Sequence, residues 1–490
     1  MAESNTLISG IDEKNREVSE IIDDSKGRFK HFLFFFSGQQ ISLLGSAIVS
    51  FAIIWWLTVT TQSEMMLGIA SLVSLGPYIF VAPFSGVIAD RFNKKVLLII
   101  IDAFQASATV ILAILFLTNN ISIAVIIVML GVRGVAQAFH QPVSMSVTPI
   151  MVPKKHFSRI NGIGYLVGGI INIVGPAVGA ALLAIPGINI GMILWVDVVT
   201  FAIALITLLA INIPTVTTEE EEETKVKEPF VAQFTDGFRA LKSIKGMVAL
   251  IFAAMVFNFF MSPLFGLLPL FVNKIHGGTE VEYAIVVGML QAAIVIGGLV
   301  MSFFKGFKKP IFFFLISAIV QAVFQIALTF IPTNFNGRFW TIGALLFVYV
   351  LPISIIDISF MTSIQLLIPK EKFGRVIGTI MAITPAIRPL GQFLSGVIAE
   401  FVGINWVLII SGILAAASIL SFYIFSPIRQ LDRTIKGIME SIEEKPEEIK
   451  EQIDVENKID LELIIEDSKK MHEIVSIESK SVNQSIEAIK

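Results

Sequence analysis

Cysteine is absent from the 490-residue sequence, so disulfides, thiolate metal sites and thiol nucleophiles are excluded. Charge is scarce. Asp, Glu, Lys and Arg make up 15% of the chain, against about 25% in an ordinary soluble protein, which disfavours a water-facing globular enzyme. The five histidines (His31, His140, His156, His276 and His472) show no metal-ligand spacing. No Gly-x-x-x-x-Gly-Lys-Ser/Thr loop occurs, which argues against direct drive by ATP. No catalytic set emerges, and neither a cofactor nor a metal is implied. A pI near 6.0 gives no sign of nucleic-acid binding.

What the chain has instead is apolar bulk: 55% hydrophobic residues, 40 of the residues phenylalanine. Its charges are gathered at the edges. Of 39 acidic residues, 7 fall in 1–28, 7 in 214–245 and 16 in 427–490, and these segments hold 19 of the 36 basic ones. The rest carries a formal +8 against −11 for the polar segments. A helix needs about 20 apolar residues to cross a bilayer. Such stretches run over 29–59, 65–89, 96–117, 121–151, 160–185 and 191–213, then over 247–272, 281–304, 310–331, 340–368, 376–401 and 407–425. The expected fold is therefore an all-α integral membrane protein of twelve transmembrane helices in two six-helix bundles. Residues 1–28 form a polar N-terminus, 29–213 the first bundle, 214–245 an acidic linker, 246–426 the second bundle and 427–490 a charged tail. The start of the chain lacks a charged-then-apolar signal pattern, so the first apolar segment is expected to remain as a span.

Loop charge orients the spans. With the N-terminus inside, the inner loops carry twelve Lys and Arg and the outer loops two, Lys274 and Arg338. That places both termini and the linker in the cytoplasm. An internal repeat supports two homologous halves. The segment 145–154 with Phe157, Arg159 and Gly162 matches 361–370 with Phe373, Arg375 and Gly378, at a constant offset of 216. Two such halves are the construction of a rocking transporter with a site at their interface near mid-membrane. Span count alone also fits channels and receptors, for which this repeat is much less usual. A surface helix is expected over 231–244. In the tail, Ile428, Leu431, Ile435, Ile438 and Ile442 form a heptad-like stripe that packs on the same molecule or on a partner.

Gly86-Val87-Ile88-Ala89-Asp90-Arg91-Phe92-Asn93-Lys94-Lys95 stands where the second span meets the cytoplasm. A carboxylate at Asp90 can bind a helix N-terminus or a basic group, while Arg91, Lys94 and Lys95 sit at lipid headgroups. This Gly-x-x-x-Asp-Arg-x-x-Lys-Lys order resembles the signature of the major facilitator superfamily, where it works as a conformational latch; Asn93 replaces the usual glycine. Gly175-Pro176-Ala177-Val178-Gly179 in the fifth span is similar to the Gly-Pro-x-x-Gly kink motif of the family's exporters. Within the superfamily, the chain most resembles the bacterial macrolide-efflux proteins over about residues 30–426. The likeness rests on Gly38-Gln39-Gln40-Ile41-Ser42-Leu43-Leu44-Gly45-Ser46-Ala47-Ile48, on Ala138-Phe139-His140-Gln141-Pro142 with Val147-Thr148-Pro149, and on Asp197-Val198-Val199-Thr200-Phe201. Siderophore exporters and lysophospholipid translocases share much of this pattern.

Charges within spans face a partner or a watery cavity. Arg133, Gln137 and His140 share one face of the fourth span, and Asp357 and Arg388 stand near mid-depth in the second half. The resemblance implies that spans one, four, seven and ten line the cavity. Arg133, His140, Asp357 and Arg388 are then the candidates for proton coupling or a charge network, and Gln39, Gln137 and Asn258 for the substrate cavity. Asp357 is favoured as the proton carrier over Asp102, near the cytoplasmic end, and Asp197, on a presumed peripheral helix. The resemblance implies a secondary exporter in the plasma membrane that moves a bulky, largely apolar small molecule in exchange for protons. The alternative from another class is a membrane scaffold or sensor that signals through its acidic tail.

Overall fold

The structure is a computed structural model that describes residues 2–153, 156–213, 230–303, 307, 309–368, 376–377, 379–380, 383–384 and 386–444. It is helical throughout, with no strand among the described residues. In chain order the helices are α1 (Ala2–Thr61), α2 (Glu64–Arg91), α3 (Lys94–Leu117), α4 (Ile123–Met151), α5 (Phe157–Leu183) and α6 (Ile190–Ala210). They continue with α7 (Phe230–Ser243), α8 (Met247–Leu270), α9 (Glu280–Ser302), α10 (Pro310–Leu328), α11 (Arg338–Leu367), α12 (Ile387–Val402), α13 (Ile404–Phe425) and α14 (Ile428–Glu444).

Eleven of the described helices are long and apolar enough to span a membrane. In the place of the expected eleventh span stands α12, sixteen residues long; the residues before it, 369–386, are described only in part. In hydrocarbon a backbone must satisfy its own hydrogen bonds, and the sequence begins several of the helices accordingly. Ser63, Asn93, Ser122 and Asn189 cap α2, α3, α4 and α6 by accepting from a backbone N–H three residues on, while Thr279 and Glu282 make a capping box at α9. Prolines 142, 149, 176, 263, 269 and 352 lie inside helices, as membrane helices allow. Large apolar side chains cover the outside, Phe303 and Phe425 each 86% exposed. In water that surface would aggregate; in lipid it is solvated.

The spans can be followed as two groups within one compact unit, Met1–Leu431. Helices α1 and α3 pack on α6, α5 on α1, and α4 on α2 and α3; in the other group α11 packs on α9 and α10, and α13 on α8 and α10. The groups meet along two seams, α2 against α12 and α5 against α9. Small residues permit the approach. A Cβ on Gly68 of α2 would lie 2.9 Å from the Phe393 carbonyl oxygen of α12, and one on Gly396 would lie 3.0 Å from the Cα of Gly68. On the other seam, a Cβ on Gly169 would lie 2.6 Å from a Val295 methyl. The expected surface helix is present as α7. The tail stripe falls on α14, a second compact unit beginning within it at Asp432. Residues 214–229 of the linker and 445–490 of the tail lie outside the described residues.

Candidate transport site

Several polar clusters interrupt the apolar packing of the described residues. In the first, Asp197 of α6 is fully buried and its carboxylate collects donors from three other helices. Arg133 Nη1 of α4 donates to Oδ2 at 2.7 Å, Thr109 Oγ1 of α3 donates to the same oxygen at 3.1 Å, and Ser46 Oγ of α1 donates to Oδ1 at 2.9 Å. The guanidinium also donates to the Thr109 hydroxyl. A buried carboxylate is tolerable only with a close counter-charge and filled hydrogen bonds, and Asp197 has both. The sequence reading set Asp197 aside as peripheral; its pairing with Arg133, 64 residues away, has no local signal.

The second cluster lies seven residues along α1, α3 and α4, with its carboxylate on α3 in place of a donor. Asp102 of α3 is 2% exposed. Gln39 of α1 donates to its Oδ2 at 3.4 Å, and His140 Nε2 of α4 lies 3.2 Å from Oδ1. That last contact has the distance of an ion pair without the alignment of a hydrogen bond, and Oδ1 has no hydrogen-bond donor. Gln137 lies half-buried between Arg133 and His140 on α4, and the following Gln141 accepts from the Tyr78 hydroxyl of α2 at 3.0 Å.

The third cluster is in the other helix group. Arg388 Nε of α12 donates to Asn258 Oδ1 of α8 at 2.8 Å, and Asn258 Nδ2 donates to the Ala254 carbonyl at 2.9 Å. Asp357 of α11 is exposed, as is Arg388, and the Arg388 charge acts on it from beyond ion-pair distance. The structure thus brings Arg388 together with Asn258 rather than into direct contact with Asp357.

At one end of the molecule a polar lock ties the groups together. Gln62, between α1 and α2, donates to Asn273 Oδ1 at 2.7 Å. Lys274 donates to both Glu64 oxygens at 2.9 and 3.0 Å and to the Gln62 carbonyl at 2.9 Å. Glu400 of α12 accepts from Ser63 Oγ at 3.0 Å and from the Met65 N–H at 3.2 Å, so a carboxylate of one group caps the positive end of a helix in the other. Beside the lock, Tyr283 stacks on Phe51 and Trp55, its ring 5.3 and 5.4 Å from theirs. His276 closes the α8–α9 corner, its carbonyl accepting from Arg338 Nε at 2.9 Å; burial, reinforced by the Arg338 charge, lowers the proton affinity of its imidazole. No signal in the sequence pointed to this lock, since its partners are ordinary polar residues at helix ends and in the turn between α1 and α2.

The motif residues take recognisable places. Lys95 Nζ donates to the carbonyls of Leu209 and Ile211 at the C-terminal end of α6, where a cation is favoured. Asn93 has φ −60° and caps α3 through its side chain, so the turn has no need of glycine there. Lys94 opens α3. The side chains of Gly86, Asp90 and Arg91 lie outside the described residues. Gly175 and Gly179 face α1: Cβ atoms there would lie 2.6 Å from the Ala47 Cβ and 2.9 Å from the Phe51 ring. Pro176 sits inside the unbroken α5. Among the described residues no group of His, Asp and Glu could hold a metal.

Two packed helix groups with charged and amide side chains inside the membrane layer define a solute carrier. The fold resembles that of a bacterial homologue of the human lysosomal transporter Spinster in an inward-facing, unoccupied conformation, with a TM-score of 0.59 and 14% identity over 84% of this chain and 98% of that one. In sequence, macrolide efflux protein A of Streptococcus pyogenes is 29% identical over 406 residues, covering 82% of this chain and 97% of that protein. The protein of the same name from Enterococcus faecalis is 27% identical over 331 residues, covering 67% of this chain and 98% of its own. The chain belongs to the transmembrane secretion effector family of major facilitator transporters, whose profile matches residues 27–471. It is a multi-pass membrane transporter and not an enzyme.

Proposed function

We propose that the protein exports a bulky, largely apolar, macrolide-like small molecule from the bacterial cytoplasm, exchanging it for protons by alternating access. The observation that carries this reading is the lock at one end of the two groups. A carrier closed at one end by reversible polar contacts has the parts that alternation needs, and the macrolide-efflux relatives supply the direction and class of cargo. Both termini and the 214–245 linker are assigned to the cytoplasm by loop charge, so the lock faces outside and this state opens inward. The two bundles span 29–213 and 246–426.

Asp357, Arg388 and Asn258 form one polar pole of the cavity, with Gln137 on the opposite bundle; Gln39, expected there, is buried against Asp102 instead. The apolar surroundings take the body of the cargo and these groups take its few polar atoms. Gly86, Asp90, Arg91, Lys94 and Lys95 act as the latch of the opposite, outward-open state, and Gly175, Pro176 and Gly179 let α5 lie close on α1 while the bundles rock. The test is a susceptibility panel across several antibiotics, with and without expression and with an uncoupler. Uncoupler-sensitive resistance to macrolides supports the reading, whereas unchanged susceptibility to every compound opposes it. Deleting 446–490 separates a transporter, which keeps its flux, from a sensor that works through its tail.

A further inference from the structure

We propose that the proton is carried by the buried pair of Asp102 and His140, steadied by Gln39. The proposal rests on the antiport reading above and names the site that antiport would use. Its basis is the contrast between two buried carboxylates of the same bundle. Gln39 and Ser46, Asp102 and Thr109, and His140 and Arg133 are each seven residues apart on α1, α3 and α4. The two clusters are therefore stacked along one seam, roughly 10 Å apart at 1.5 Å per residue.

Asp197 has a guanidinium that never gives up its proton, and donors on both oxygens. Nothing in that cluster can change charge cheaply, so it is a clamp. Asp102 has an imidazole and an amide in the same positions, and one oxygen without a hydrogen-bond donor. An imidazole titrates in the physiological range. His140 Nε2, 3.2 Å from Asp102 Oδ1, is placed to pass a proton to it.

Inside the membrane layer the pair is neutral overall when it holds one proton, as carboxylate with imidazolium or as carboxylic acid with imidazole. That is the form which can be sealed from water. Loss of the proton leaves one net negative charge, tolerable only where water or a cation reaches the pair. His140 is the side of the pair nearer to water, its side chain 10% exposed against 2% for Asp102. In each cycle one proton binds from outside and one leaves to the cytoplasm, with no other bond made or broken.

The other charged groups on the helices packed around the pair do not replace it. Arg133 and Asp197 neutralise each other, Lys95 is held by the end of α6, Glu64 on α2 is engaged by Lys274, and Arg28, Lys30 and His31 on α1 and Lys94 on α3 stand eight or more residues from Gln39 and Asp102. Tyr78 of α2 is bonded to Gln141. The side chains of Asp90 and Arg91, also on α2, lie outside the described residues.

The test uses the full chain in liposomes with a radiolabelled macrolide and two assays: uphill accumulation driven by an imposed pH gradient, and gradient-free exchange of labelled for unlabelled compound. For one proton per substrate, about one pH unit sustains about tenfold accumulation in wild type. Asp102→Asn and His140→Gln should each lose that accumulation, keep exchange, and lose the pH dependence of exchange, which a merely structural contact would not set. If Asp102→Asn does not elute as a folded monodisperse protein, His140→Gln alone decides. Gradient-driven accumulation at the wild-type level in the folded variants would overturn the proposal. Loss in Asp357→Asn alone would move the site to α11. A wild type that exchanges but never accumulates would overturn the antiport reading itself.

Discussion

Glu64, at the start of α2, and Lys274, in the π-helical segment Phe271–Ile275 that extends α8, meet at 2.9 Å and join the two helix groups at one end. Glu64 is 5% exposed while Lys274 is 41% exposed, so the pair is half screened and contributes about 1 kcal/mol or less. On the alternating-access proposal it is made in one state only. A contact present in just one of two states biases their populations.

Removing it should therefore redistribute the carrier. Glu64→Gln or Lys274→Met should shift the balance toward the state open at the lock end by up to about fivefold, the equivalent of 1 kcal/mol. Because the chain has no cysteine, Gln62→Cys with Asn273→Cys supplies a unique pair for a short bifunctional thiol reagent. Cross-linking should stop transport, and cleaving the linker should restore it. Undiminished transport by a fully cross-linked protein would mean that this end does not open.

The Asp197 clamp should govern folding. Arg133→Ala leaves a buried carboxylate without its counter-charge, a loss of about 3–5 kcal/mol, and membrane yield should fall sharply. Asp197→Asn with Arg133→Gln, which removes both charges, should recover much of it. Thermal unfolding in detergent separates these outcomes from a loss of transport alone.

Asp90→Asn keeps the shape of the side chain and removes the charge that can meet a helix N-terminus. Insertion should be normal and efflux strongly reduced. Wild-type efflux by a well-expressed variant would reduce the motif to a topological anchor.

Asp357→Asn probes the polar pole of the second bundle. If Asp357 contacts cargo, the substrate concentration for half-maximal exchange should rise while accumulation under a pH gradient persists at saturating substrate. Loss of accumulation with unchanged exchange would instead make Asp357 the proton carrier.

The spans were legible because lipid imposes a simple rule: about 20 apolar residues, read directly off the chain. Gly175 and Gly179 were legible as a small-residue motif that permits tight packing, though their partner helix α1 was not. The clamp and the Asp102–His140 pair were not, although Arg133 and His140 stood out individually. Their partners are fixed by which helices become neighbours, and Asp102 and Asp197 look alike until Arg133 and His140 are set beside them. The lock was hidden for another reason: Gln62, Asn273 and Lys274 are ordinary polar residues and gain meaning only when two bundles meet.

The central claim, that export is driven by protons, has one direct measurement. The purified full-length protein is placed in liposomes without ATP, a pH gradient is imposed, and accumulation of a radiolabelled macrolide is followed. Proton-driven export requires uphill accumulation that collapses when an uncoupler is added and reverses direction when the gradient is reversed. Equilibration to equal concentrations under either gradient, by protein that still exchanges the compound, would contradict it.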